Sequence, residues 1–190
     1  AGPTVITAYN ALPVTERAML LADDPAPWRD RVLQELQVAH PDIQRSVHQV
    51  DRFRNGKLQV LFNTAGKVYL IDRTGKDVGG FPVALKDTAT APLAVFDYDA
   101  QRDYRVLLPV SSGAILNLGM DGVATKGWEA SRLQRPSVSA VRHIRLRNKD
   151  HLIVIAGDGS IRSLDRRGVE RERVKLELGP NAKVHGVWAG

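Results

Sequence analysis

Apolar residues along this chain come in short runs, each closed by a polar or glycine-bearing turn. Val, Ile, Leu, Phe and Tyr crowd Ser46–Phe53, Leu58–Phe62, Pro92–Tyr98, Tyr104–Val110, Val138–Leu146 and Leu152–Ala156. Between neighbouring runs lie Arg54-Asn55-Gly56-Lys57, Ala100-Gln101-Arg102-Asp103 and Arg147-Asn148-Lys149-Asp150. Short β-branched and aromatic runs bounded by Gly, Asn and Asp predict strands joined by tight turns.

The turns recur. Gly66 and Gly75, Gly113 and Gly122, and Gly159 and Gly168 form three pairs, each nine residues apart, and the copies step by 47 and then 46 residues. Six residues after each second glycine stand Phe81, Trp128 and Val174. Each unit reads strand, turn, strand, glycine turn, strand, glycine turn, strand. A tight hairpin turn needs positive φ, which glycine adopts without steric cost, so both glycines of every pair are expected there. Four short antiparallel strands in roughly 40–50 residues is the size of a WD40-like propeller blade, which buries both faces only when stacked on others. The predicted class is therefore all-β, with about four propeller-blade units: a divergent 1–45, then 46–91, 92–137 and 138–190. In the first unit Thr4–Ala8 and Ala18–Ala22 read as strands, while Arg31–Val38 suits a strand or a short helix entered through Asp24-Pro25. Lys183–Trp188 sits where another opening strand is due. Four units could close a ring, but the absence of obvious capping sequence favours an arc of a larger propeller, with exposed blade edges through which chains could associate.

The segment Gly66-Lys67-Val68-Tyr69-Leu70-Ile71-Asp72-Arg73-Thr74-Gly75 and its continuation to Phe81-Pro82 resemble the quinoprotein-like (PQQ-like) propeller repeat, in which a strand of the form hydrophobic-Tyr-hydrophobic-hydrophobic-Asp enters a glycine turn. It is also similar to integrin-type repeats. The following Ala91–Asp99 looks like repeats of large bacterial cell-envelope proteins of the Bacteroidetes type. The resemblance covers about 46–175 and implies a propeller fold and a periplasmic or surface setting rather than the cytoplasm. Quinoprotein dehydrogenases hold a quinone and a calcium ion with a catalytic Asp and stacked Trp rings. Here Trp28, Trp128 and Trp188 are dispersed, so no cofactor is expected and none of that family's catalytic residues is carried over.

Composition narrows the classes. At 43% hydrophobic and 25% charged the chain is ordinary for a globular protein, and no apolar run nears the roughly 20 residues of a membrane span. Its start, Ala1-Gly2-Pro3-Thr4, lacks the basic-then-apolar pattern of a secretory leader. The absence of cysteine excludes disulfides, thiolate metal sites and cysteine nucleophiles. Lys+Arg number 27 against 21 Asp+Glu, with basic residues gathered late in Arg142, Arg145, Arg147, Lys149, Arg162, Arg166, Arg167, Arg171, Arg173 and Lys175. Such a surface could meet nucleic acid, anionic lipid or an acidic partner. Here the charges alternate with apolar residues and are broken by Asp150, Asp158, Asp165, Glu170 and Glu172, as on solvated strand faces, so nucleic acid is disfavoured.

Candidate chemistry is sparse. Asp97, Asp99 and Asp103, with Gln101 between, alternate as in a calcium loop, but Arg102 stands where the sharp turn wants glycine and no bidentate Glu follows. That favours a polar hairpin over a metal site. His40, His48, His143, His151 and His185 form no metal-binding motif, although His143 and His151 could meet across a hairpin. Ser111-Ser112-Gly113 and Gly157-Asp158-Gly159-Ser160 lead into strands, unlike phosphate loops. No nucleophile elbow is present. The favoured function is a non-catalytic binding or scaffold module for a protein or polysaccharide partner. The alternatives are a metal-dependent or enzymatic site formed only in a complete propeller, and nucleic-acid binding through the basic later blades.

Overall fold

The computed structural model describes Gln34, which is helical, and residues 47–178, with backbone alone for 172–177. The expectations for Thr4–Ala8, Ala18–Ala22, Lys183–Trp188, His40 and His185, and for the first unit apart from Gln34, lie outside the described residues.

Eleven strands span 47–178. The first sheet is a four-stranded meander of β1 (Val47–Val50), β2 (Gln59–Asn63), β3 (Lys67–Ile71) and β4 (Val83–Ala84). The second holds β5 (Ala94–Phe96), β6 (Arg105–Pro109) and β7 (Ile115–Leu118). The third is the meander β8 (Arg142–Leu146), β9 (Lys149–Ile155), β10 (Ser160–Leu164) and β11 (Glu170–Glu177). All pairs are antiparallel. The middle sheet has no fourth strand. One hydrogen bond marks its place: the Leu133 amide donates to the Gly113 carbonyl at 2.8 Å, as Leu85 does to Gly66 and Leu178 to Gly159, both at 2.9 Å. The stretch around Leu133 carries Arg132, Gln134, Arg135 and Pro136, none of them β-branched or aromatic, and Pro136 has no amide to donate.

Why the sheets stack is visible in β6. Strand side chains alternate between faces. Val106 and Leu108 join Val50, Leu61, Val68 and Leu70 of the first sheet in one cluster. Leu107, between them, joins Val141, Leu152, Val154 and Leu164 of the third sheet in another. All three β6 residues are fully buried, and burial of such a side chain contributes about 1.5–3 kcal/mol. The middle blade thus has an apolar face for each neighbour. Polar groups tie the same seams: the buried Asn63 accepts the Leu93 amide on Oδ1 at 2.9 Å, and the half-buried Thr90 donates from Oγ1 to the Ser137 carbonyl at 2.5 Å.

The second glycine of each pair behaves as its spacing predicts. Gly75, Gly122 and Gly168 have φ of 84°, 77° and 85°. Each closes a three-residue loop in which its amide donates to the carbonyl three residues back, at 3.0–3.1 Å. The first glycines divide. Gly113 and Gly159 share that geometry, at φ 79° and 90°, but Gly66 lies outside the left-handed region. Thr64 and Lys67 bracket its shorter, two-residue loop, in which neither Ala65 nor Gly66 takes the left-handed conformation.

Candidate partner-binding face

In an antiparallel meander the first-to-second and third-to-fourth connections lie at one end of the sheet. Contacts between blades show that these ends align. Arg102 Nη1 of the middle blade reaches Asp51 of the first at 2.7 Å, and Arg166 of the third blade holds Asp99 of the middle one with two bonds of 2.8 Å. The Arg167 guanidinium bonds Glu129 at 2.7 Å, and the backbones of Gly80 and Asp121 are packed too closely to admit a Cβ at Gly80. The turn regions of all three blades therefore form one continuous face.

Turn chemistry shapes it. Both carboxylate oxygens of Asp51 accept amides, of Asn55 at 3.0 Å and Gly56 at 2.8 Å. Asp97 does the same for Gln101 at 3.0 Å and Arg102 at 2.7 Å. The two turns share a backbone as well: Arg54 and Ala100 both have φ 54°, and Arg102, at φ 60°, takes the left-handed conformation that Gly56 takes at 75°. Arg102 is thus no obstacle to the sharp turn. Its guanidinium meanwhile serves the buried Asp51. Burial alone would raise the Asp51 carboxyl. The turn amides and Arg102 more than offset that and hold it below the ordinary carboxylate range.

The alternating acids of the middle blade do not converge on a common point. Asp97 caps its own turn, Asp103 bonds Arg105 at 2.6 and 3.0 Å, and Asp99 faces Arg166. Among the described residues no group of three or more His, Asp or Glu side chains is placed to hold a metal ion. His143 and His151 do not meet either. In the ladder His143 lies opposite Leu152 and His151 opposite Ile144, so they point to opposite faces. His151 Nδ1 contacts Ser163 Oγ at 2.9 Å. His48 packs against the Leu93 carbonyl, and burial lowers its pKa despite that bond. The serine and glycine loops at 111–113 and 157–160 are hairpin turns at the opposite end, and Trp128 Nε1 donates to the Ile115 carbonyl at 2.7 Å.

One turn differs from the reading above. Lys149 and Asp150 belong to β9, and Asp150 is buried. The charge reads as a turn in the sequence because its partners lie elsewhere: His143 Nε2 at 2.8 Å and Arg166 Nε at 2.6 Å. Arg166 also lies 4.7 Å over the Tyr98 ring, and Tyr98 meets His143 edge-on at 5.3 Å. The true turn is Arg147-Asn148, with φ 47° and 60°, the conformation of a type I′ hairpin made without glycine. Arg166, steadied by Asp150 of its own blade, bolts the second seam through Asp99, as Arg102 bolts the first through Asp51.

What the face leaves open is cationic and apolar. Of the exposed large apolar residues, Phe53, Leu58, Val123, Leu146 and Val169 lie at this end, and Val138 at the other. Phe53 is 54% exposed with the Arg52 guanidinium 5.4 Å above its ring. Arg54, Lys57, Arg147 and Lys149 are exposed and outside every ion pair among the described residues. The sequence carried a signal for this: Arg52-Phe53-Arg54-Asn55 recurs two repeat steps later as Arg145-Leu146-Arg147-Asn148.

Among solved structures the chain is similar to the BBS1 N-terminal domain in a crystal structure of BBS1N in complex with ARL6DN soaked with lead, with a TM-score of 0.53 and 14% identity over 70% of this chain and 39% of that one. The corresponding structure soaked with mercury gives 0.50 and 14% over 71% and 39%. That domain is a β-propeller. The fold here is an arc of propeller blades. At this identity the likeness is one of fold, and the chain spans 39% of the length of these neighbours. No family model matches the chain, and no curated protein does. No helix among the described residues is long and apolar enough to cross a membrane.

Proposed function

We propose that this chain is a non-catalytic protein-binding module, an arc of propeller blades that meets its partner with the turn-bearing end. The observation that carries this is the gathering of exposed Phe53, Leu58, Val123, Leu146 and Val169 among open cations on that one end. Apolar residues held in a polar rim are the usual marks of an association surface. The fold neighbour BBS1N, itself found in complex with ARL6DN, is in keeping with such a role. A non-catalytic role is supported by the acids and histidines of this end, whose carboxylates and ring nitrogens are engaged in turns and seams. A polysaccharide partner is less well supported, because Phe53, the only large exposed aromatic ring among the described residues, lies under Arg52. The quinoprotein-like and envelope-protein resemblance, with its periplasmic or surface setting, belongs to the same proposal and rests on Gly66–Pro82 and Ala91–Asp99 alone.

The test is a photo-crosslinking scan in the native host, with a benzophenone amino acid replacing Phe53, Leu146 or Val138 in turn. Discrete protein adducts from positions 53 and 146, absent from 138, are expected. Adducts from 138 alone, or none from the turn-bearing end, would overturn the proposal.

A further inference from the structure

We infer that the tips of the first and third described blades form a two-armed receptor for an acidic protein segment that carries apolar residues between its carboxylates. The inference rests on the protein-binding reading above and adds the partner's chemistry.

Each arm has the same build. A turn lifts an exposed hydrophobe, Phe53 or Leu146, with an arginine on either side: Arg52 and Arg54, or Arg145 and Arg147. A lysine follows each, Lys57 and Lys149. The arms hold their shape by different means. In the first, Asp51 caps the turn and Arg52 is anchored on the Gly79 carbonyl at 2.7 Å. In the third, the two-residue turn is tight and Arg145 Nη2 bonds Asn148 Oδ1 at 2.9 Å. Two different turns thus present the same arginine, hydrophobe and arginine at the surface. A single exposed Phe or Leu among surface residues is unremarkable in itself. A matched pair, each flanked in the chain by two arginines, provides both an apolar anchor and carboxylate clamps.

The tip between them argues for protein over nucleic acid. At the equivalent positions the middle blade has Tyr98-Asp99-Ala100-Gln101, with Asp97 and Asp103 beside them. Arg102 of this tip reaches Asp51 at the base of the first arm and Asp99 takes Arg166 of the third blade, so the first and third blades flank this tip on both sides. A phosphate backbone tracks a continuous positive groove. Here the track is interrupted at the middle tip, where Arg102 and Arg105 are already paired with Asp51 and Asp103 and Asp99 is held by Arg166. A protein segment with acids at its two ends and apolar or neutral residues between matches two cationic arms with a charge-balanced tip between them. Stacking of bases is also disfavoured at Phe53, where Arg52 already covers the ring.

The test is fluorescence anisotropy of the full chain with three labelled probes: a Glu–Leu peptide with Glu-Leu-Glu at each end and a neutral Ser-Leu spacer between, the same peptide with Gln for Glu, and a single-stranded oligothymidylate of equal charge. The Glu–Leu peptide should bind, weaken as salt is raised to physiological strength, and exceed both other probes. Arg54→Gln and Arg147→Gln should each weaken it about 2–5-fold, as exposed ion pairs do, and the double variant about 10-fold. Phe53→Ser and Leu146→Ser should each cost about 3–10-fold while the melting temperature stays within a few degrees of the parent's. No binding of the Glu–Leu peptide, equal binding of the Gln peptide, tighter binding of the oligothymidylate, or indifference to all four substitutions would overturn the inference. The host crosslinks keep the two proposals apart. If positions 53 and 146 still form protein adducts when Arg54→Glu and Arg147→Glu are introduced together, the acidic partner is wrong and the protein-binding face stands.

Discussion

Replacing Asp150 by alanine should cost about 2–3 kcal/mol of stability at neutral pH, although the residue lies near a surface turn. Its carboxylate is buried and takes two charge-assisted bonds, from His143 Nε2 at 2.8 Å and Arg166 Nε at 2.6 Å. Hydrogen bonds to charged groups contribute roughly 1.5–3 kcal/mol each. The donors are partly wetted, at 24% exposure for His143 and 34% for Arg166, and Arg166 keeps its fork on Asp99, so the sum is discounted. With a urea m-value on the order of 2 kcal/mol/M, the midpoint should fall by about 1 M at unchanged slope. Asp150→Asn, which retains one acceptor oxygen, should lose about half as much. The pH dependence supplies a second readout. Burial acts to raise the Asp150 carboxyl, but the bonds from His143 and Arg166 more than offset it and leave it below the ordinary range. The unfolded chain therefore binds this proton at higher pH than the native one. The contribution is full above the ordinary carboxylate value near 4 and is lost as pH falls through the depressed native value. The gap between parent and Asp150→Ala should accordingly narrow in acid. A midpoint shift equivalent to under about 0.5 kcal/mol at pH 7, or a gap that widens in acid, would refute the reasoning.

Three further outcomes follow from the turns and the core, each checked by urea or thermal unfolding. Gly66→Ala, at an open site outside the left-handed region, should be neutral or stabilise by up to about 1 kcal/mol, whereas Gly80→Ala, at φ 92° with its Cβ driven into the Asp121 carbonyl, should cost about 2–4 kcal/mol. Replacing Arg147-Asn148 by Asn-Gly should stabilise by about 1 kcal/mol, since both positions require positive φ. Leu107→Ala should cost about 2–5 kcal/mol, because this fully buried side chain is the middle blade's wedge into the third. Millimolar calcium should leave the melting temperature unchanged, as Asp97, Asp99 and Asp103 are engaged with separate partners; a rise would reopen the cation-loop reading.

The repeat was legible because it is local. Strand order and the second glycine of each pair follow from spacing along the chain, and the fold agrees with them. Gly66 and the long opening strands Ser46–Phe53, Pro92–Tyr98 and Val138–Leu146 do not match, β1, β5 and β8 being shorter. Where the reading failed, the deciding partner lay in another blade or another strand. Asp150 looks like a turn residue until His143 and Arg166 close on it. Arg102 looks unfit for a sharp turn until its left-handed backbone and its bond to Asp51 are seen together. His143 and His151 look like a pair, but a register that places them on adjacent rungs turns them to opposite faces. The even spacing of the repeat concealed that the middle blade has three strands and not four. The arms were half legible: their turns are visible in one dimension, whereas the recurrence of Arg52–Asn55 at Arg145–Asn148 becomes meaningful only once both are known to share an end.

The most direct test of the turn-bearing end as a binding face is hydrogen–deuterium exchange of the chain alone and in its crosslinked complex. Protection confined to residues 52–58, 98–104, 121–124, 145–149 and 166–169 is the predicted result. Protection concentrated at 86–92 and 134–141, on the opposite end, would contradict it.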